Sequence, residues 1–83
     1  MNNRQHGFVT GSHQASEGRR VWTVRVKDPS SKYDGRKLVV ASVREELELA
    51  RGLNVHFAIG SVDDREGKKT LRAVDVCLEE VGD

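Results

Sequence analysis

A two-residue alternation of apolar and polar side chains is the feature that most restricts how this 83-residue chain can fold. It is clearest at 20–27, where the sequence reads Arg-Val-Trp-Thr-Val-Arg-Val-Lys, and it recurs at 54–62 and 70–78. An extended chain places alternate side chains on opposite faces, so these segments are predicted to be strands with one apolar face each. The apolar face predicted for the last strand consists of Val74, Val76 and Leu78.

Two further segments do not show this alternation, and their structure is predicted from their composition. Residues 38–41 (Leu-Val-Val-Ala) are apolar on both faces, which is typical of a central or closed-barrel strand, and turn-forming residues separate them from the strand at 20–27. Residues 1–18 are rich in Asn, Gln, Ser, Gly and His and are predicted to form a flexible arm. Within this arm, 7–11 (Gly-Phe-Val-Thr-Gly) is an optional short strand.

A helical pattern interrupts the strands after Ser42. Ser42 and Glu45 have the spacing of a capping box, in which each side chain bonds an unpaired backbone N–H group of the other residue. Gly52 suits the left-handed position that follows a helix. The sequence therefore predicts a helix of roughly two turns over 43–51. The alternative is that Val43 extends the preceding strand and the helix is shorter.

The predicted order is therefore an optional strand, two strands, a short helix and two more strands. Isolated hairpins are marginal in water, so these strands must pack on one another. The fold class is mainly β, and a short helix between the third and fourth of five strands is the layout of the OB-fold barrel. We expect a small five-stranded OB-like barrel over 19–80, preceded by the arm at 1–18 and followed by a tail at 81–83.

Composition and charge fit a single small domain without a disulfide. The residues are 36% hydrophobic and 33% charged, and Cys77 is the only cysteine. No apolar run approaches the ~20 residues of a membrane span or follows the N-terminus as in a signal peptide, so the cytoplasm is the expected compartment. The formal charge is +5 over 1–40 and −4 over 41–83, which permits one basic and one acidic side.

The second half of the chain resembles the last two strands of cold-shock domains. The segments that carry the resemblance are 49–57 (Leu-Ala-Arg-Gly-Leu-Asn-Val-His-Phe) and 71–76 (Leu-Arg-Ala-Val-Asp-Val). The resemblance implies a barrel. Cold-shock domains bind single strands with aromatic motifs close to Lys-Gly-Phe-Gly-Phe and Val-Phe-Val-His-Phe, whereas the corresponding strands here read Val-Trp-Thr-Val-Arg-Val and Leu-Val-Val-Ala-Ser. The stacking platform of that family is therefore not carried over.

The sequence offers no pattern typical of a catalytic or metal site. No pair among the three histidines and Cys77 has zinc-ligand spacing. No glycine-rich phosphate loop precedes a helix, and no nucleophile lies in a recognisable elbow. We therefore expect neither enzymatic activity nor a metal or other cofactor.

Basic residues around the first clear strand favour nucleic-acid binding. Proteins that bind single strands combine cations for the backbone with flat side chains for the bases. Trp22 and Phe57 share faces with valines and are predicted to be core, which leaves Tyr33 and Phe8 for stacking. The candidate contact residues are Arg20, Arg25, Lys27, Lys32, Tyr33, Arg36, Lys37 and His56.

The predicted function is therefore binding of single-stranded RNA or DNA through a basic face of the barrel. The alternative is a non-catalytic protein-interaction module or small regulatory subunit, which the doubly apolar segment 38–41 and the short supply of aromatic residues favour. The salt dependence of binding distinguishes the two functions, because phosphate binding weakens steeply with ionic strength, whereas binding through an apolar interface changes little.

Overall fold

Five strands close into one barrel. The computed structural model describes residues 4–15, 18–44, 47–63 and 66–79. The strands are β1 (Gln5–Gln14), β2 (Arg20–Val26), β3 (Lys37–Val40), β4 (Asn54–Asp63) and β5 (Lys69–Leu78). Their order around the barrel is β1-β2-β3-β5-β4, and only the β3–β5 pair is parallel. The mainly β, five-stranded barrel predicted from the sequence is confirmed, and its order is compatible with an OB-like fold.

Each of the five strands contributes side chains to the buried interior. Alternation in β2 directs Val24 and Val26 inward, while Arg25 between them is exposed. Phe57 is fully buried, as predicted, and Trp22 is half-buried and packs against the core at its edge. The buried cluster comprises Val9, Val24, Val26, Leu38, Val55, Phe57, Ala73 and Val76.

The first correction concerns the predicted arm at 1–18. The optional strand at 7–11 is present and longer than predicted, because β1 begins at Gln5 and pairs with both β2 and β4. Its Val9 side chain is fully buried in the core, which ties this polar segment to the barrel. The barrel therefore begins before residue 19. Residues 1–3, 16–17 and the predicted tail at 81–83 lie outside the described residues.

The second correction concerns the helix predicted over 43–51, which is wrong. None of the described residues in this range is helical, and Glu45 and Glu46 lie outside them. The Ser42 hydroxyl accepts a hydrogen bond from the Asp75 N–H group at 2.9 Å instead of capping a helix. Val43 forms a parallel bridge with Val76. These tertiary bonds to β5 outweigh the propensity of a helix of about two turns, which is marginal without packing.

The third correction concerns the apolar face of β5. Asp75 has a φ of 53°, and the pairing of β4 with β5 shifts register at this point. Such a bulge changes the phase of the alternation. Ala73 before the bulge and Val76 after it are both fully buried, whereas Leu78 is 48% exposed. The predicted face of Val74, Val76 and Leu78 is therefore not one face of the strand.

Candidate nucleic-acid interface

An aromatic ring and two cations lie in one row on the outside of the barrel. Phe8 of β1 pairs directly with Arg25 of β2, and Arg25 pairs with Lys37 of β3. Directly opposite residues of paired strands have Cβ atoms about 4.5–5.5 Å apart, so these three side chains are neighbours. Arg25 and Lys37 are exposed, and Phe8 is half-buried and lies outside the core cluster.

A second row runs beside the first. Thr23 pairs with Val39, and Val39 pairs across the parallel ladder with Arg72 of β5. The Thr23 hydroxyl is held by the Thr10 hydroxyl, with 2.7 Å between their Oγ1 atoms. The two rows together are named the β2–β3 face, which consists of Phe8, Thr23, Arg25, Lys37, Val39 and Arg72.

The field over this face is set by its cations. Strands β1, β2 and β3 contain no Asp or Glu. Arg25 and Lys37 therefore lie on strands that contribute no carboxylate to this surface, and Arg72 of β5 adjoins them. An arrangement of like charges on one surface attracts anions and raises their local concentration.

Two further cations lie close to the face, where β2 ends and β3 begins. The Lys27 N–H group donates to the His6 carbonyl at 2.8 Å, and the Val26 N–H group donates to the Arg36 carbonyl at 2.9 Å. Both cationic side chains are exposed. Four of the residues predicted from the sequence are thus brought together, namely Arg25, Lys27, Arg36 and Lys37.

Arg20 is separated from this group. It begins β2 and has the same phase as Trp22, opposite to that of Arg25. Five residues of strand place its Cα about 16 Å from that of Arg25. Its guanidinium donates to the Ser12 hydroxyl at 2.7 Å. Arg20 therefore lies at the other end of the strand, beside a groove of about 450 Å³ that includes Trp22.

Lys32 and Tyr33 lie in the loop between β2 and β3 and not on the β2–β3 face. The Tyr33 ring is half-buried and packs against the core. The Lys32 ammonium lies 5.2 Å from the centroid of that ring, within the range of a cation–π contact. Both residues instead border a separate cavity of about 580 Å³ between this loop and the β4–β5 hairpin.

His56 belongs to a polar cluster on β4 and β5. The Arg4 Nε–H group donates to His56 Nδ1 at 2.7 Å, and the same guanidinium reaches the Asp75 carboxylate at 3.1 Å. Burial and the adjacent Arg4 charge lower the pKa of His56 below its ordinary value of 6.5. The imidazole is therefore neutral near pH 7, and its Nδ1 is occupied by Arg4. A neutral imidazole offers no charge to a phosphate, and the assignment of His56 as a nucleic-acid contact stays a prediction.

Asp75 is the carboxylate that pairs with the two arginines of this cluster. Its carboxylate accepts hydrogen bonds from Arg4 and from Arg44, whose Nε lies 3.0 Å from Oδ1. The Arg44 hydrogen bond is the main cause that lowers the pKa of Asp75, so the carboxylate stays ionised. Among the described residues, no group of three or more His, Cys, Asp or Glu side chains is placed to hold a metal ion.

Four members of the β2–β3 face are not among the site residues predicted from the sequence, namely Phe8, Thr23, Val39 and Arg72. The sequence analysis names Phe8 as a ring that is left for stacking but does not include it among the contact residues. It does not name Arg72 as a contact residue. The signal for Arg72 is its position beside the buried Ala73, because the alternation then directs Arg72 outward. The signal for Phe8 is the same, with Val9 as the buried neighbour.

Comparison of the chain with protein-family models, with curated proteins and with solved structures finds no match. Within the part of the chain that the structure describes, there is no helix of the length and apolar character needed to span a membrane. The fold and the face thus define a small β-barrel with a basic outer surface.

Proposed function

We propose that this protein binds single-stranded RNA or DNA through the β2–β3 face of an OB-like barrel. The observation that carries the proposal is the row Phe8, Arg25 and Lys37, in which one ring and two cations are direct neighbours. A single strand requires both elements, because its bases stack on flat side chains and its phosphates pair with cations. The corresponding strand faces and adjacent loops are where OB folds bind oligonucleotides.

The role proposed for each side chain follows from its position on the face. Phe8 offers the stacking surface, because it is the aromatic side chain that lies on this face and outside the core. Arg25 and Lys37 on one side of the ring, with Lys27 and Arg36 beyond, would contact phosphates on a path across β1, β2 and β3. A single ring supplies roughly 1–3 kcal/mol of stacking. The remainder of the affinity must therefore come from phosphate contacts, with little sequence preference.

The proposal is tested by charge removal on the face. Arg25→Ala combined with Lys27→Ala should weaken the binding of a labelled single-stranded 12-mer, measured by fluorescence anisotropy at low salt. The loss should be similar for all sequences, because phosphate contacts carry no base information. RNA and DNA 12-mers are titrated in parallel.

The matched control is Lys68→Ala combined with Lys69→Ala, which removes the same formal charge from the β4–β5 turn. Glu66 lies in that turn, 4.0 Å from the Lys68 ammonium, and offsets its field. The control should bind nearly as well as the unmodified protein. Equal losses from both double variants would place the binding path elsewhere on the barrel, and the absence of binding at micromolar protein would refute the proposal.

A protein-binding role is the second candidate, and the groove beside Trp22 favours it. This groove of about 450 Å³ has walls formed by apolar side chains, including Trp22, Val40 and Leu49. Apolar surface of this kind suits an apolar segment of a partner protein. A pull-down with and without nuclease separates the candidates, because a partner held in the groove would survive nuclease and a nucleic-acid bridge would not.

A further inference from the structure

A cavity lies between the β2–β3 loop and the β4–β5 hairpin. Its volume of about 580 Å³ lies within the range of small-ligand sites, roughly 300–1,000 Å³. The side chains that border it divide into an apolar set and a polar set. The lining includes Ile59, Leu71 and the Tyr33 ring on one hand, and Ser30, Ser61 and Lys32 on the other.

One wall of the cavity is built in advance by hydrogen bonds of the loop. The Asp28 N–H group donates to the Asp34 carboxylate at 2.9 Å, and the Ser30 hydroxyl donates to the Asp28 carboxylate at 2.7 Å. The Tyr33 N–H group donates to the Ser31 hydroxyl at 3.1 Å. Both loop carboxylates are thus engaged within the loop itself. Little ordering is required when a ligand enters such a site.

The polar groups at the rim retain hydrogen-bonding capacity. Within the described residues, the Tyr33 and Ser61 hydroxyls make no hydrogen bond, and Ser61 is exposed. The Lys32 ammonium lies over the Tyr33 ring at 5.2 Å from its centroid, and it can turn to an anion at the rim. An apolar wall beside a cation and hydroxyl donors matches a flat ring that carries a phosphate.

The loop that borders the cavity is bonded to the end of the β2–β3 face. The Gly35 N–H group donates to the Val26 carbonyl at 2.8 Å, and the Arg36 N–H group donates to the Tyr33 carbonyl at 2.9 Å. These bonds fold the loop back on the end of β2. The loop that borders the cavity thus leaves and rejoins the barrel where Arg25 pairs with Lys37, so a strand that runs off the face at this end meets the loop next.

We propose that this cavity accepts one unstacked nucleotide of the bound strand, with its base against Tyr33, Ile59 and Leu71 and its phosphate at Lys32 and Ser61. The inference rests on the proposed function, because it places this nucleotide on the same path as the β2–β3 face. In this arrangement Lys32 and Tyr33 contact the bound strand, although neither residue lies on the β2–β3 face.

The test uses one matched pair of variants at the exposed rim. Ser61→Glu adds a negative charge where the phosphate would lie, and Ser61→Gln adds a neutral side chain of the same size. Ser61→Glu should weaken binding of the 12-mer about tenfold relative to Ser61→Gln, through the lost charge-assisted hydrogen bond and the added repulsion. Thermal unfolding of both variants checks that the barrel is intact.

The second arm uses a nucleoside 5′-monophosphate, with inorganic phosphate as the control for charge alone. In amide NMR spectra the mononucleotide should shift the signals of 30–33 and 59–61, and phosphate at equal concentration should shift them less. If the 12-mer binds but the two Ser61 variants are equal, or the mononucleotide leaves these signals unmoved, the cavity inference is overturned and the proposed function stands. If the 12-mer does not bind at all, both are overturned.

Discussion

Phe8 of β1 and Arg25 of β2 are direct cross-strand neighbours on the outside of the barrel. Their inward neighbours, Val9 and Val24, are fully buried and fix both side chains in the outward phase. The pair places a flat aromatic ring directly beside a cation. The proposed binding of a single strand depends on Phe8 and Arg25 more than on any other pair of side chains.

The ring of Phe8 is expected to matter for its planarity and not only for its apolar area. Phe8→Leu keeps an apolar side chain but removes the flat surface, so binding of a single-stranded 12-mer should weaken about tenfold, which corresponds to roughly 1.4 kcal/mol of stacking. Phe8→Tyr retains the ring and should bind within about threefold of the unmodified protein. Anisotropy titrations measure both. Equal losses for the two variants would argue against stacking at this position.

Gly7 is expected to be required for the close approach of β1 and β2. A Cβ atom at Gly7 would collide with the Arg25 carbonyl oxygen and lie 3.3 Å from the Phe57 ring. Gly7→Ala should therefore lower the free energy of unfolding by about 3 kcal/mol, the upper end of the usual overpacking cost. Urea denaturation followed by Trp22 fluorescence provides the measurement.

Gly67→Ala is the control for this prediction. Gly67 has a φ of 78°, and among the described residues other than its chain neighbours no heavy atom lies within 4 Å of a Cβ built there. Only backbone strain of about 1 kcal/mol is then expected. If Gly7→Ala proves no more harmful than Gly67→Ala, β1 does not pack against β2 in the way described.

His56 is expected to make stability depend on pH. Its pKa is lowered in the folded protein from the ordinary 6.5, so below about pH 6.5 the unfolded chain binds a proton that the folded protein does not. The free energy of unfolding should therefore fall as the pH decreases from about 6.5 toward the lowered pKa. His56→Gln removes the titrating group and should flatten this part of the curve, as measured by urea denaturation between pH 7.5 and pH 5.

His13→Gln is the matched control for the pH experiment. His13 is exposed near the end of β1, away from the Arg4 and Asp75 cluster. The substitution leaves the Arg4–His56 hydrogen bond in place, so the fall in stability attributed to His56 should persist in this variant. If the His56→Gln and His13→Gln curves coincide, the Arg4–His56 hydrogen bond does not govern the titration.

The sequence was sufficient for the strands whose pattern is local. The alternation around Val24 and Val26 identifies β2 and its buried face without knowledge of any partner. The Ser42 region was not predictable in the same way, because its hydroxyl bonds the Asp75 N–H group 33 residues away. That bond and the register shift at Asp75 are tertiary features, and they decide against the helix that the local pattern favours.

The candidate site was likewise predictable only where a local sequence pattern determines it. The outward phase of Arg25 follows from the alternation of β2, but its position between Phe8 and Lys37 requires the register of three strands. The exposed loop gave no local sign that the Tyr33 ring packs against the core. His56 was predicted as a contact residue because its strand phase is outward. Its engagement by Arg4, 52 residues away, lies beyond any local pattern.

The central claim is that phosphate contacts on the β2–β3 face hold a single strand. The most direct test is the affinity of the unmodified protein for a labelled 12-mer at several salt concentrations, plotted as log K against log salt. About four phosphate contacts predict a straight line with a slope near −3, at roughly −0.7 per contact for single strands. A slope near zero, or no binding at low salt, would contradict the account.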